Sequence, residues 1–273
     1  MAQHHHQEQN AGEPAFDDPL SWEVFELSVL AGLVIAALGY GLGLWRARGR
    51  GTWPAHRMVC WYLGLLCTGA GLVGPVAAAA HTSFTAHMVT HLLMGMIGPL
   101  LLVLAAPVTV ALRALPVRAA RVLSRLLRGP WVRLVTHPVV AGLLNGGGLW
   151  LLYTTELFGL MHASVLAHAL FHLHIFLAAY AFTYSLIGID PDPHRASWRL
   201  RAAVLIVFIA AHQILAKRLY AYPPEDVDPA DAELGAQIMF YGGDLVDVTL
   251  IVLLFHRWYV STRPREAARY AAA

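Results

Sequence analysis

Charged side chains are scarce in this 273-residue chain, because Asp, Glu, Lys and Arg together make up only 13% of it. Hydrophobic residues account for 58%, and the mean hydropathy is +0.55. Soluble globular domains carry about 25% charged residues. The shortage of charge therefore excludes an ordinary soluble domain and predicts a polytopic membrane protein.

Several chemical signatures are also missing. Cys60 and Cys67 are the two cysteines, and they form no CxxC motif, so neither a disulfide nor a redox pair is expected. No nucleophile–base arrangement, phosphate-binding loop or basic nucleic-acid patch is visible. We therefore expect neither an enzyme nor a nucleic-acid partner. No positively charged segment precedes the first apolar run, so this run is expected to be a retained span and not a signal peptide.

Long apolar runs are what the chain does contain. A membrane helix needs about 20 apolar residues, because the bilayer core offers no water to the backbone. The fourth run is short and glycine-rich. The pattern predicts an all-α bundle of seven transmembrane helices over 23–260, with tails at 1–22 and 261–273. The seven runs lie at about 24–45, 57–79, 84–112, 139–155, 162–187, 200–218 and 233–258.

The distribution of charge predicts the orientation, since Lys and Arg in short loops stay on the cytoplasmic side. Of the 19 basic residues, only Lys217 and Arg218 fall on the opposite side from the rest. The N-terminus is therefore expected outside and the C-terminus in the cytoplasm. The basic residues assigned to the cytoplasmic side are Arg46, Arg48, Arg50, Arg57, Arg113, Arg118, Arg121, Arg125, Arg128, Arg133, Arg195, Arg199, Arg201, Arg257, Arg263, Arg265 and Arg269. The acidic residues assigned to the outer side are Glu8, Glu13, Asp17, Asp18, Glu23, Glu26, Glu225, Asp226, Asp228, Asp231 and Glu233.

Histidines enter the predicted helices at matching depths. The stretch HMVTH places His87 and His91 on one face of the third helix, and His168 and His172 share a face of the fifth. Both pairs lie within about 15 Å of the outer ends of their helices, at a rise of 1.5 Å per residue. These four histidines are the predicted metal ligands, because two co-facial pairs are hard to explain as hydrogen-bonding struts.

Other polar groups have plainer interpretations. His174 and His212, taken singly, are more easily explained as interhelical struts. His81 and His162 are expected at the outer interface, where a solvated histidine is normal. His4–His6 are either a native metal-gathering tail or a tag remnant. Additional or supporting groups for the metal site are His212, Asp244, Asp247, Met94 and Met88, although the methionines are more readily explained as core.

Three stretches resemble the CtaG-like polytopic cytochrome c oxidase assembly factors. They are HMVTHLLMGMIGPLLLVLAAPVTVALRALP at 87–116, HALFHLHIFLAAYAFTYSLIGIDP at 168–191 and DAELGAQIMFYGGDLVDVTLIVLLFHRW at 231–258. The matched polar residues are His87, His91, His168, His172 and Asp231. Gln237 and Phe240 depart from the Gly and Trp expected in the last stretch. The resemblance implies a seven-helix bacterial plasma-membrane protein that handles copper on the outer face for the oxidase.

Ligand chemistry favours copper, because imidazole binds it well, thioether selects copper(I), and no thiolate lies on the outer side. The expected partners are oxidase subunits, the lipid bilayer and extracytoplasmic copper chaperones, and a homodimer is compatible with the sequence. The alternatives are haem b held by two imidazoles, either His91 with His172 or His87 with His168, and a copper or proton conduit through Asp244 and Asp247. A diiron oxidase is disfavoured, because the histidine pairs face outward.

Overall fold

The computed structural model describes residues 19–224 and 227–262, and these ranges contain helices and no strands. The predicted all-α class is confirmed. Short non-α segments are a 3₁₀ turn at Arg48–Arg50 and π-helical segments at Leu93–Ile97 and Leu143–Gly147. The α-helices are α1 (Pro19–Ala47), α2 (Ala55–Ala70), α3 (Pro75–Ala79), α4 (Phe84–Leu92), α5 (Gly98–Leu104), α6 (Pro107–Ala114), α7 (Val117–Leu127), α8 (Pro130–Val135), α9 (Pro138–Gly142), α10 (Gly148–Thr154), α11 (Leu157–His162), α12 (Val165–Ile187), α13 (Trp198–Ala221) and α14 (Pro229–Thr262).

Six helical segments of the described chain are long and apolar enough to cross a bilayer. The predicted fourth span is helical too, but it consists of the short helices α9 and α10 joined by a π-helical segment, and it is not among the six. The count of seven therefore stays a prediction. The six segments are Leu20–Arg50, Ala55–Ala79, Phe84–Leu104, Val165–Ile187, Trp198–Ala221 and Pro229–Thr262.

Two of the predicted helical runs are interrupted at a residue whose backbone leaves the α-helical conformation. The run expected at 57–79 turns after α2, where Gly74 adopts φ 86°, a conformation that favours glycine. The run expected at 84–112 ends at Leu104, because Ala106 is left-handed (φ 52°) and Pro107 begins a new helix. The prediction that the third helix continues to residue 112 is therefore wrong.

The segment Phe84–Leu104 is the centre of the bundle. Of its apolar window 72% is buried, against 11–33% for the other five candidate spans. It packs against α14 on one side and α2 and α12 on the others. Its first half, α4, carries the HMVTH stretch, and the π-helical segment that follows widens the helix directly after His91.

The two ends of the bundle have different chemistry. At one end, Asp231 at the start of α14 binds the start of α4. At the other end, Arg195, Arg201 and Arg257 donate to the last carbonyl oxygens of α12, which lack helical partners. We call these the histidine end and the arginine end. Some of the charged residues used for orientation lie outside the described residues, as do His4–His6. These charged residues are Glu8, Glu13, Asp17, Asp18, Glu225, Asp226, Arg263, Arg265 and Arg269.

Candidate metal-binding site

The start of α4 is fixed by two side chains. Ser83 accepts a hydrogen bond from the backbone N–H of Ala86 at 3.3 Å. The carboxylate of Asp231 accepts from the backbone N–H groups of Phe84 (2.6 Å) and Thr85 (3.1 Å) and from the Ser83 hydroxyl (3.1 Å). These bonds satisfy the N–H groups that every helix leaves free at its N-terminus. They also fix the turn of helix that leads to His87.

Helix α12 begins in the same way and presents the second histidine pair. Ser164 accepts from the N–H of Ala167 at 3.2 Å. The rings of His168 and His172 stack with centroids 3.9 Å apart, so the expected shared face is present. His172 Nδ1 lies 2.9 Å from the carbonyl oxygen of His168 and must donate to it. The neutral His172 ring therefore keeps its lone pair on Nε2, the state that a metal ligand needs.

His87, His168 and His172 line one small cavity at the histidine end, together with His81 and His162. The cavity has a volume of about 10 Å³. This is close to the space that one water molecule needs. Ring contacts join neighbouring histidines, with centroids 5.9 Å apart for His87–His162, 6.4 Å for His81–His162 and 5.3 Å for His81–His168. We call these five residues the histidine cluster.

His81 and His162 are the members that sequence reasoning placed at the interface. Both are exposed, as expected there, yet their rings also border the cavity. His162 Nδ1 lies 2.9 Å from the Phe158 carbonyl oxygen, so its lone pair is on Nε2. Partial desolvation and the nearby His162 ring lower the pKa of His81, against an opposing effect of Glu26, so its neutral form is favoured. Each stands six residues before the first histidine of a pair, but outside the helix that carries the pair, so helical periodicity did not predict this proximity.

His87 has a defined partner deeper in the bundle. Its Nε2 lies 2.9 Å from the hydroxyl of Tyr153, which is itself buried. Such a contact orients the ring, in the way that outer partners orient metal-binding histidines. Tyr153 was not among the predicted site residues, because a tyrosine in an apolar run gives no pattern of its own.

Helix α1 covers the open side of the histidine cluster. The Trp22 ring lies 4.8 Å from that of His81 and 5.1 Å from that of His168, and Phe25 lies 5.5 Å from His168. Next to this contact is a larger cavity of about 340 Å³, which His81 and His168 share with Glu26. We call it the vestibule. It places one exposed carboxylate beside the outer wall of the histidine cluster.

His91 lies apart from the other three predicted ligands. It does not border the 10 Å³ cavity, and its ring instead faces that of His212 on α13, with centroids 6.1 Å apart. Both His212 nitrogens are buried without a hydrogen-bond partner among the described residues. The expectation that His212 is a hydrogen-bonding strut was therefore wrong. His91 Nε2 and both Asp247 oxygens likewise have no hydrogen-bond partner within 19–224 and 227–262.

The remaining predicted residues lie in the protein core, in an interhelical hydrogen bond or at the surface. Gln213 Nε2 donates to Asp244 Oδ1 at 2.6 Å, which joins α13 to α14. Met88 and Met94 are fully buried in an apolar core cluster with Leu149 and Met239. On α14, Gln237 and Tyr241 are exposed, whereas Asp247 is buried.

His174 is a strut, as its position off the shared face suggested. Its Nε2 donates to the Leu144 carbonyl oxygen at 3.2 Å, across to the π-helical segment. That contact makes it a matched reference for the cluster histidines.

The histidine cluster offers neutral nitrogen donors without a carboxylate or thiolate among its lining residues. In the described part of the chain, no group of three or more His, Cys, Asp or Glu side chains already stands in metal-holding positions. The set suits a metal that accepts imidazole nitrogen, such as copper or zinc.

The fold and the site define a helical polytopic membrane protein with a group of histidines gathered at one end of its bundle. The family model for the cytochrome c oxidase caa3 assembly factor (CtaG) matches residues 38–261. The chain belongs to this family, and the resemblance noted in its sequence is confirmed.

The curated relatives are mycobacterial. Proteins named only as uncharacterized in Mycobacterium bovis and Mycobacterium tuberculosis are 32% identical over 203 residues, covering 70% of this chain and 30% of theirs. One in Mycobacterium leprae is 28% identical over 257 residues, covering 86% of this chain and 39% of its own length. The chain thus spans about a third of the length of these relatives. No solved structure matches the chain.

Proposed function

We propose that this protein assists the assembly of cytochrome c oxidase by binding copper at the histidine cluster and passing it to oxidase subunits. The observation that carries this proposal is the convergence of five imidazoles from four separate segments on a cavity of about 10 Å³. Among these rings, His168 Nδ1 is buried without a hydrogen-bond partner in the described residues, and such an atom costs stability. A shared ion that uses several lone pairs at once accounts for the group better than five separate structural roles do.

The protonation pattern supports a ligand role. His162 and His172 each give their Nδ1 proton to a backbone carbonyl, and both leave Nε2 free. Metal-binding histidines commonly donate their other N–H in this way. Neutral donors also avoid placing extra negative charge in a bilayer. Copper fits best, because imidazole is among its preferred ligands and copper is the metal that oxidase assembly requires.

The same proposal includes the location and the partners. The histidine end faces outward and the arginine end faces the cytoplasm, because positive loops remain inside. The membrane is the bacterial plasma membrane. Copper arrives from extracytoplasmic chaperones through the vestibule and leaves to oxidase subunits, and the protein carries out no chemical conversion.

Cavity size favours an ion over the haem alternative. Pockets for organic ligands and cofactors have volumes of roughly 300–1,000 Å³. The space enclosed by the histidine cluster is about 10 Å³. His91, which would pair with His172 across a haem, faces His212 instead.

Copper stoichiometry in the purified full-length protein tests the proposal. We expect bound copper after dialysis against a weak chelator and no Soret band. His172→Ala should lose copper, since it removes one ligand and the stacking partner of His168. His174→Gln, two residues further along α12, should keep the bound copper.

In cells, His172→Ala should lower oxidase activity while the oxidase polypeptides remain present. Unchanged copper content in His172→Ala, or a haem spectrum in the wild type, would overturn the proposal. A loss of copper in both variants would also count against it, because His174 contacts no member of the cluster.

A further inference from the structure

One histidine pair lies outside the cluster used above. His91 is one turn deeper than His87 on α4, and it meets His212 of α13 in the interior of the bundle. The two side chains are 4% and 3% exposed. We call them the inner pair.

The inner pair has polar atoms that the protein itself leaves unsatisfied. His91 Nε2 and both nitrogens of His212 find no hydrogen-bond partner within the described residues. A buried polar atom without a partner costs about 1–3 kcal/mol. A neutral imidazole always has one nitrogen lone pair, so each ring can offer one donor to an ion whichever tautomer it adopts.

The spacing of the rings matches a shared ion. Two metal–nitrogen bonds of about 2 Å, with roughly 1 Å from each nitrogen to its ring centre, put the centroids about 6 Å apart in a linear arrangement. The observed separation is 6.1 Å, and the ring planes differ by 22°. The separation of the ring centres leaves room for one ion, provided that a nitrogen of each ring turns toward the other.

Helix α14 packs closely against the inner pair, because it has a glycine at the point of contact. A Cβ on Gly243 of α14 would lie only 2.6 Å from His212 Cε1, so any larger residue would displace that ring. One turn further along the same face of α14 is Asp247, which is 2% exposed, with both carboxylate oxygens unpartnered in the described ranges.

We propose that His91 and His212 form a second metal site, which binds copper(I) between two imidazole nitrogens one turn deeper than the histidine cluster. Copper(I) is the form that accepts two donors in a line, whereas copper(II) prefers a tetragonal set of four. The identity of the metal rests on the proposed function. The site gives copper a second binding position between the outer cavity and the interior of the bundle.

Copper(I) titration of the full-length protein under reducing conditions, against a chromogenic copper(I) chelator, tests the second site. We expect two copper ions per wild-type chain, one in His212→Ala, one in His172→Ala and none in the double variant. A single copper per wild-type chain, or two in a folded His212→Ala protein, would overturn the inner site. Retention of both ions in His172→Ala would instead overturn the histidine cluster, so the two failures are distinguishable.

A variant that keeps every ligand provides an independent check. Gly243→Ala should weaken the inner site by about tenfold or more, because it moves the His212 ring without removing a donor. Gly147→Ala, whose new methyl would meet no atom within 4 Å, should keep both ions. In the His172→Ala background, X-ray absorption should show two nitrogen neighbours at about 2 Å from copper. Undiminished affinity in Gly243→Ala, or a four-ligand shell in that spectrum, would contradict the proposal.

Discussion

Asp231 holds the N-terminus of α4 at 2.6 Å, from its carboxylate Oδ2 to the backbone nitrogen of Phe84. The bond spans 147 residues of chain and joins the first turn of α14 to the helix that carries His87 and His91. Because the same carboxylate also accepts from Thr85 and Ser83, it sets the position of α4 along its own axis. Asp231, a residue matched in the family resemblance, therefore has a positioning role in this structure.

Replacing Asp231 by Ala should lower both stability and copper affinity. The loss of three charge-assisted hydrogen bonds should cost about 1–2 kcal/mol of unfolding free energy. Copper affinity should fall, because His87 shifts with the start of α4. Thermal unfolding in detergent and chelator competition measure the two effects.

Asp228→Ala is the matched control for that variant. Asp228 accepts from the backbone N–H groups of Ala230 (2.9 Å) and Asp231 (3.2 Å), so it caps the start of α14 but leaves the Asp231 carboxylate bonds to α4 in place. It should cost similar stability while copper affinity stays near that of the wild type. Equal copper affinity in the two variants would remove the positioning role of Asp231.

Tyr153→Phe should weaken copper binding by about tenfold, because it removes the hydroxyl that orients the His87 ring. Tyr40→Phe is a suitable comparison. The Tyr40 hydroxyl donates to the Ala105 carbonyl oxygen at 3.0 Å, far from the histidine end. Copper affinities measured in parallel should differ between the two variants, and a similar value in both would show that the Tyr153 hydroxyl does not support the site.

Glu26→Gln should slow copper uptake without changing the final stoichiometry. The Glu26 carboxylate borders the vestibule beside His81 and raises the local concentration of cations. Stopped-flow mixing at low ionic strength should show a rate a few-fold lower than that of the wild type, and added salt should remove the difference. Glu23→Gln, an exposed acid on the same helix, should keep the wild-type rate. A changed stoichiometry in Glu26→Gln would make Glu26 a ligand and not part of an entry route.

Reporter fusions test the orientation that the copper proposal assumes. A reporter after Ala273 should be cytoplasmic, and one inserted between 221 and 231 should be extracytoplasmic, because most arginines lie at the other end. Protease protection in oriented vesicles would give the same information. If both reporters were on the same side, α14 would not cross the membrane once between them. That result would contradict the proposed orientation.

The helical class and the positions of most spans follow from the sequence because the bilayer imposes one requirement on every segment. About 20 apolar residues must satisfy their own backbone hydrogen bonds. The requirement is local, so it can be read along the chain. The breaks at Gly74 and Ala106 could not be read in this way, because an alanine in a left-handed conformation is held by its tertiary surroundings.

The candidate site shows the same division. The i, i+4 spacing of His168 and His172 determined that their rings share a face, and the rings do stack. The spacing of His87 and His91 is identical, yet His87 borders the outer cavity while His91 meets His212. Which neighbour a side chain meets depends on helix crossing and rotation, and the glycine at 243 lets α13 approach closely enough to bring His212 there.

The sequence alone determined a membrane-embedded, all-helical protein with buried histidines near one end, because hydropathy and helical periodicity act within single segments. Only the tertiary structure decided that His81, His162 and Tyr153 join the site and that Asp231 positions α4. These relationships join segments that are distant in the chain, and they depend on how helices pack side by side, which no local pattern of residues specifies.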